Sequence, residues 1–227
     1  MAIIIENLTK AYSENVVFDN FSFTACDNLI TCILGKSGCG KTTLLNCIAN
    51  LETYFGAINT EGNTSYIFQQ DRLVPTLNIA DNLQLVLKTP SKEKIEEMLK
   101  KIDLYEHINK FPSQLSGGMR QRVAIARAFL FDSKNMLMDE PFKALDISIK
   151  NVIIKMFLEL WQEKKQTVLY VTHDIEEALK VADRIVVLAN NPCKIKFDKM
   201  IQKKQAERNI YDDFFNDLRK ELYSCFD

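Results

Sequence analysis

The sequence predicts an α/β fold. A mostly parallel sheet carries crossover helices, an antiparallel β segment precedes it, and a helical stretch is inserted into it. Three observations predict this. Apolar strand-like runs alternate with helical runs from Met136 to Leu188, the pattern of βαβ units. Five of the seven glycines sit in two short clusters, Gly35/Gly38/Gly40 and Gly117/Gly118, each leading into helical sequence. From Asp71 to about Leu130 the pattern turns helical, with capping residues at its breaks.

Ile3–Thr9 and Phe18–Ala25 alternate like strands across a polar turn at Ser13-Glu14-Asn15. Leu29–Leu34 is a short apolar strand that runs into the first glycine cluster, and Thr42–Leu51 reads as a helix. Ile58–Phe68 reads as a strand pair turning near Gly62-Asn63. Ser91 is the expected N-cap of a helix carrying Ile95, Met98, Leu99 and Ile102, with Glu96/Lys100 and Glu97/Lys101 as i,i+4 pairs. Pro112 interrupts, and a further helix starts near Ser116.

Met136–Met138, Thr167–Val171 and Ile185–Leu188 are expected strands. Between them, Ile147–Glu163 and Asp174–Val181 are expected helices, the latter with an Asp174-x-x-Glu177 capping box. Tyr211, Phe214, Phe215, Leu218, Leu222 and Phe226 form the apolar stripe of a terminal helix expected to pack on its own core, with a dimer contact as the alternative. The expected layout is one domain over 1–227. Segments 1–70 and 131–200 form the core with the β subdomain, 71–130 a helical subdomain, and 201–227 a C-terminal amphipathic helix.

Bulk properties narrow the function. A net charge of −1 gives no basic footprint for nucleic acid. No apolar run approaches the ~20 residues that span a bilayer. The apolar start Ala2-Ile3-Ile4-Ile5 is too short for a signal peptide. Six cysteines without a Cys-x-x-Cys, and only two histidines, argue against zinc and for reduced thiols in a cytosolic protein.

Gly35-Lys36-Ser37-Gly38-Cys39-Gly40-Lys41-Thr42-Thr43 is a P-loop. Its glycines let backbone wrap phosphates, Lys41 sets a point charge by the β/γ-phosphates, and the Thr42 hydroxyl reaches Mg²⁺. Near a helix N-terminus and Lys41, the Cys39 thiolate is favoured. Asp139 and Glu140 close an apolar strand, where adjacent carboxylates need a cation or a water reaction to justify them. Asp139 is placed for the Mg²⁺ shell and Glu140 to polarise the attacking water. Ser116-Gly117-Gly118 offers a second anion grip at a helix start. One P-loop already holds its own phosphates, so the second grip implies a second nucleotide held by a second copy about a two-fold axis.

Leu115-Ser116-Gly117-Gly118-Met119-Arg120-Gln121-Arg122 resembles the signature motif of ABC ATPases, and the resemblance spans nearly the whole chain with its motifs in the family's order. It implies a P-loop NTPase core of ABC type with an N-terminal antiparallel β subdomain and an inserted α-helical subdomain. It further implies that Tyr12 stacks on adenine and that Gln69 senses Mg²⁺ and the transport partner. Asp146, in Ala144-Leu145-Asp146, touches the opposite subunit, and His173 contacts the γ-phosphate. Lys143, Asn135 and the short stretch from Gly56 to Phe68 depart from the family's usual pattern, and none removes a catalytic residue.

The segments Leu115–Arg122, Asp139-Glu140-Pro141-Phe142 and Gln69–Leu77 resemble importer ATPases of the nitrate, sulfonate and taurine group. The expectation is an ATP-hydrolysing, Mg²⁺-dependent subunit, peripheral on the cytoplasmic face of the cell membrane and dimeric on ATP binding. It would serve separate transmembrane permease subunits and an extracytoplasmic solute-binding protein, with no nucleic-acid partner. With no membrane segment in the chain and its end at Asp227, neither a fused permease nor an added regulatory domain is expected. The alternatives are an exporter or lipid-releasing complex, or a soluble non-transport ABC ATPase. A small-molecule kinase would leave Leu115–Arg122 unexplained.

Overall fold

The computed structural model describes residues 3–143 and 145–226, so Met1, Ala2, Ala144 and Asp227 lie outside the described residues. In chain order, strands β1 (Ile3–Tyr12), β2 (Asn15–Ala25) and β3 (Ile30–Leu34) lead into helix α1 (Lys41–Ile48). Then come β4 (Phe55–Thr60), β5 (Thr64–Ile67), α2 (Ile79–Gln84), α3 (Lys92–Lys101) and α4 (Gly117–Leu130). The chain continues as β6 (Asn135–Asp139), α5 (Ile147–Lys164), β7 (Thr167–Thr172) and α6 (Ile175–Val181), and ends with β8 (Arg184–Ala189), β9 (Lys194–Met200) and α7 (Asp213–Ser224). Two compact units divide it: the first comprises residues up to 64, 134–140 and from 165 on; the second comprises 65–133 and 141–164.

The first unit holds two sheets. One is antiparallel, in the order β2-β1-β4, with β1 and β2 joined through the expected turn. In the other, the order within this unit is β6-β7-β3-β8-β9; the first four strands are parallel and β9 runs antiparallel to β8. Strands β3, β6 and β7 are buried along their whole length, as parallel strands covered on both faces must be. That is why they read as unbroken apolar runs. The expected strand pair near Gly62-Asn63 is corrected: β4 pairs with β1, with Ile3 opposite Thr60 and Glu6 opposite Ala57, so the turn does not close a hairpin.

Asn135, the polar departure at the start of β6, is fully buried, and its side-chain amide donates to the Glu61 carbonyl at 2.9 Å. A buried amide is tolerated where it is hydrogen-bonded. Asp174 caps α6, its Oδ1 accepting from the Glu176 and Glu177 amides at 2.9 and 3.3 Å. The reciprocal half of the expected box is absent: the Asp174 amide goes to Thr172 Oγ1, and Glu177 turns toward β7.

Helix α7 starts at an Asp212 cap and buries Phe215, Leu218 and Leu222, while Arg219 donates to Glu176 on α6 at 2.6 and 3.1 Å. The stripe is therefore split. Its middle packs, but Tyr211 is 75% exposed and Phe214 is also exposed. Arg208 donates to the Leu179 and Lys180 carbonyls at the end of α6, and burial pushes its guanidinium down to about 10.

The second unit is mainly helical, with α2, α3 and α5 packing on α4 around Leu83, Leu99, Val123, Ile125, Phe157 and Trp161. It takes in the expected helical stretch 71–130 and also α5, which lies in the segment 131–200 expected to be core. The reason is local. Phe129 on α4 meets Phe157 on α5 with ring centroids 5.9 Å apart, and Lys164 at the end of α5 donates to the Phe129 carbonyl. Ser91 caps α3 as expected, accepting from the Lys94 amide at 3.3 Å. The charge pairs differ from expectation: Glu96 faces Lys92 at 3.6 Å, and Lys101 reaches Glu163 on α5 at 2.5 Å. Both alternatives lie within a lysine's reach, and helical spacing does not choose between them.

Candidate active site

Three parallel strands of the first unit deliver the site residues from their carboxyl ends, where open α/β sheets bind ligands. Strand β3 runs into Gly35–Gly40, β6 ends in Asp139-Glu140, and β7 ends at Thr172 before His173.

The loop after β3 begins with buried Gly35, while Lys36, Ser37 and Gly38 are exposed. Gly40 has φ of 98°, and a Cβ there would lie 2.7 Å from Val17 Cγ1, so both conformation and space require glycine. No side chain caps α1 and no acidic residue occupies its first turn, so its N-terminal amides are left for an anion. Lys41 is 5% exposed and folds back over the loop, Nζ donating to the Gly35 and Lys36 carbonyls at 2.7 and 2.9 Å. Its Nζ is also 4.0 Å from Cys39 Sγ. Thr43 follows in α1, half-buried.

Thr42 Oγ1 donates to Asp139 Oδ1 at 3.2 Å, bringing together the two groups expected at Mg²⁺. A hydroxyl and a carboxylate are hard oxygen donors of the kind Mg²⁺ takes alongside phosphate oxygens, and they fit that ion. Among the described residues no group of three or more His, Cys, Asp or Glu side chains suits a metal, so phosphate would have to complete the shell.

Glu140 turns the chain out of β6 in the left-handed region, with φ of 43°, and its amide donates to the Val171 carbonyl at 2.9 Å. A non-glycine residue there carries strain of about 1–3 kcal/mol, the kind of outlier that gathers at functional sites. Its Oε1 lies 3.2 Å from His173 Nδ1. The carboxylate is largely buried, whereas the His173 side chain is 51% exposed. The pair therefore presents one sheltered acceptor and one accessible imidazole.

Tyr12 stands at the end of β1, 42% exposed, with Lys10 Nζ 4.5 Å from its ring centroid. Lys10 itself donates to Glu52 at 2.9 Å, and that hydrogen bond holds the Glu52 carboxyl below its ordinary range.

Gln69, Ser116, Gly117, Gly118 and Asp146 belong to the second unit. Gln69 is exposed in the segment after β5. Ser116 is the N-cap of α4: Oγ accepts from the Met119 amide at 3.3 Å, which leaves its proton free to be donated. A Cβ on Gly118 would lie 2.7 Å from Ile149 Cγ2, so glycine lets α4 approach α5 closely. Asp146 is exposed and its carbonyl accepts from the Lys150 amide, opening α5.

The sequence reading missed a clamp in this unit. Arg120 Nε donates to Asp71 Oδ2 at 3.0 Å while its NH1 donates to the Leu115 carbonyl at 2.8 Å. Arg127 NH2 reaches the Asp71 and Arg72 carbonyls at 3.2 and 3.0 Å. The segment just after Gln69-Gln70 is thus tied to the same helix that Ser116 caps. The available signal is the pair of arginines at 120 and 127, an i,i+7 spacing that puts both on the same face of a helix.

The ABC transporter family profile matches residues 18–143. The aliphatic sulfonates import ATP-binding protein SsuB of Bacillus cereus is 35% identical, over 100% of this chain and 96% of its own length. The formylaminopyrimidine import ATP-binding protein ThiZ of Halalkalibacterium halodurans is 38% identical, over 84% of this chain and 80% of its own. Among solved structures, a dimeric ATP-binding cassette in a post-hydrolysis state with ADP and Pi superposes with a TM-score of 0.76. It shares 27% identity over 89% of this chain and 100% of its own.

Proposed function

This chain belongs to the ABC transporter family, and from that membership we propose that it is the ATP-hydrolysing subunit of an importer for a small solute of the sulfonate, nitrate or taurine kind. The observation that carries the hydrolytic part is the convergence of Lys41, Thr42, Asp139, Glu140 and His173 beyond the ends of three adjacent parallel strands.

The residues divide the work. The Gly35–Thr43 loop and the open amides of α1 hold the phosphates, and Lys41 exchanges its loop carbonyls for phosphate oxygens when ATP enters. Thr42 and Asp139 would hold Mg²⁺, which, when bound, neutralises charge on the β/γ-phosphates. Glu140 accepts the proton of the attacking water, and His173 donates to the γ-phosphate from the neighbouring strand end. Tyr12 offers an exposed ring at the end of β1 for adenine to stack on. Ser116, Gly117 and Gly118 of a second copy complete the site through hydroxyl and amide donors, with Asp146 at that contact. Gln69 and the second unit face the permease, placing the chain at the cytoplasmic face of the membrane. Among the described residues no helix is long and apolar enough to cross a membrane. In this reading the translocation path lies in separate permease subunits, which receive the solute-binding protein's cargo.

Co-expression with a multispanning membrane subunit tests the transport reading. Recovery of a complex whose ATPase rises with a loaded solute-binding protein supports it. Recovery with ribosomes or DNA instead overturns it.

A further inference from the structure

One buried carboxylate, that of Glu177, has no part in the phosphate, metal or water roles proposed above. Glu177 is 3% exposed, on the first turn of α6, where a charged side chain is costly unless something needs it. Capping α6 is not its task, because Asp174 does that. Its Oε2 instead accepts from Thr172 Oγ1 at 2.8 Å and from Tyr170 OH at 2.9 Å, both on β7. Burial, with Glu177 beside it, pushes the Tyr170 phenol well above its ordinary range, which keeps it a donor. Thr172 Oγ1 in turn accepts from the Asp174 amide at 3.1 Å. The two residues flanking His173 are thus joined through one hydroxyl, and that hydroxyl is oriented by Glu177.

We propose that Glu177 is a positioning residue for His173: acting through Thr172, it fixes the turn that sets the imidazole against Glu140. The half-exposed His173 ring has little packing of its own to hold it, so backbone placement and the 3.2 Å approach to Glu140 define its position. A misplacement of about 1 Å at such a group costs on the order of 10²-fold in rate. The proposal rests on the part given to His173 under Proposed function.

The test uses the full chain. Its two histidines, His107 and His173, give separate imidazole nitrogen–proton correlations by NMR, and His107, in the second unit, serves as internal reference. Thr172→Val removes the relaying hydroxyl with little change of shape, and Glu177→Ala removes its acceptor. Both variants are expected to move the His173 signals and leave those of His107 in place. Both should also lower kcat for ATP by about 10- to 100-fold with KM unchanged. Glu177→Gln, whose single carbonyl oxygen accepts from both hydroxyls, is expected to restore most of each. Unmoved His173 signals in both variants overturn the proposal, whatever the ATPase does, and so does loss of the fold in both by circular dichroism. Moved signals with unchanged kcat support the positioning role and remove His173 from hydrolysis instead.

Discussion

At the residue scale, a carboxylate that activates water must be sheltered enough to stay basic in reach and close enough to a partner to keep its orientation. Glu140 meets both conditions, with a largely buried side chain and His173 Nδ1 at 3.2 Å. Glu140→Gln keeps the shape and removes the proposed base, so turnover should fall on the order of 10²–10⁴ while ATP binding survives. Trapping of an ATP-bound dimer in a sizing column accompanies that loss, and near-normal turnover would take Glu140 out of the reaction. The motif residues stand out one by one in the sequence because each chemistry admits few residue types. Glu177 matches a capping box by local pattern, as an acid three residues after an Asp at a helix start, and only β7 beside it supplies the better donors.

At the element scale, α4 connects the two motifs of the second unit. It starts at the Ser116 cap and holds the segment after Gln69 through Arg120 and Arg127. Because the Arg120–Asp71 pair is partly exposed, a double-mutant cycle by urea unfolding should give a coupling of about 0.5–1 kcal/mol. Exchanging the two residues should recover part of the loss. Gly118→Val drives a side chain into Ile149 on α5 and is expected to destabilise by about 1–3 kcal/mol. Ser91→Ala, which removes only a cap, should cost about 1 kcal/mol in the same assay. The element types were readable from periodicity and caps. The placement of α5 with α4 was not, because an apolar helical face states that it must be buried without naming its partner.

For the whole molecule, the anion grip proposed at Ser116–Gly118 would mean that one copy does not make a complete enzyme. Gly117 is exposed and a Cβ there would meet nothing nearer than 3.9 Å, so Gly117→Asp fits the fold. Its carboxylate would repel a phosphate at that helix start. The variant is expected to bind ATP normally in a fluorescence titration yet hydrolyse it on the order of 10²–10³ more slowly. Wild-type activity should rise more steeply than linearly with protein concentration below the dimer's dissociation constant. Strictly proportional activity, with Gly117→Asp as active as wild type, would show that each copy works alone.

What the sequence determined by itself is local chemistry. Gly35–Thr42, Asp139-Glu140 and Leu115–Arg122 carry their meaning in spacing, because phosphate, water and backbone amides accept only a few arrangements of glycine, hydroxyl, lysine and acid. Strand and helix types followed from apolar period, and the caps at Ser91, Ser116 and Asp174 from the unpaired amides of a helix start. The tertiary structure decided partnership. It paired β4 with β1 instead of β5, set α5 with the helices of the second unit, sent Lys101 to Glu163, and aimed Glu177 at Thr172. Each of these choices compares contacts between residues far apart in the chain, where several partners satisfy the same local pattern and only their simultaneous packing selects one.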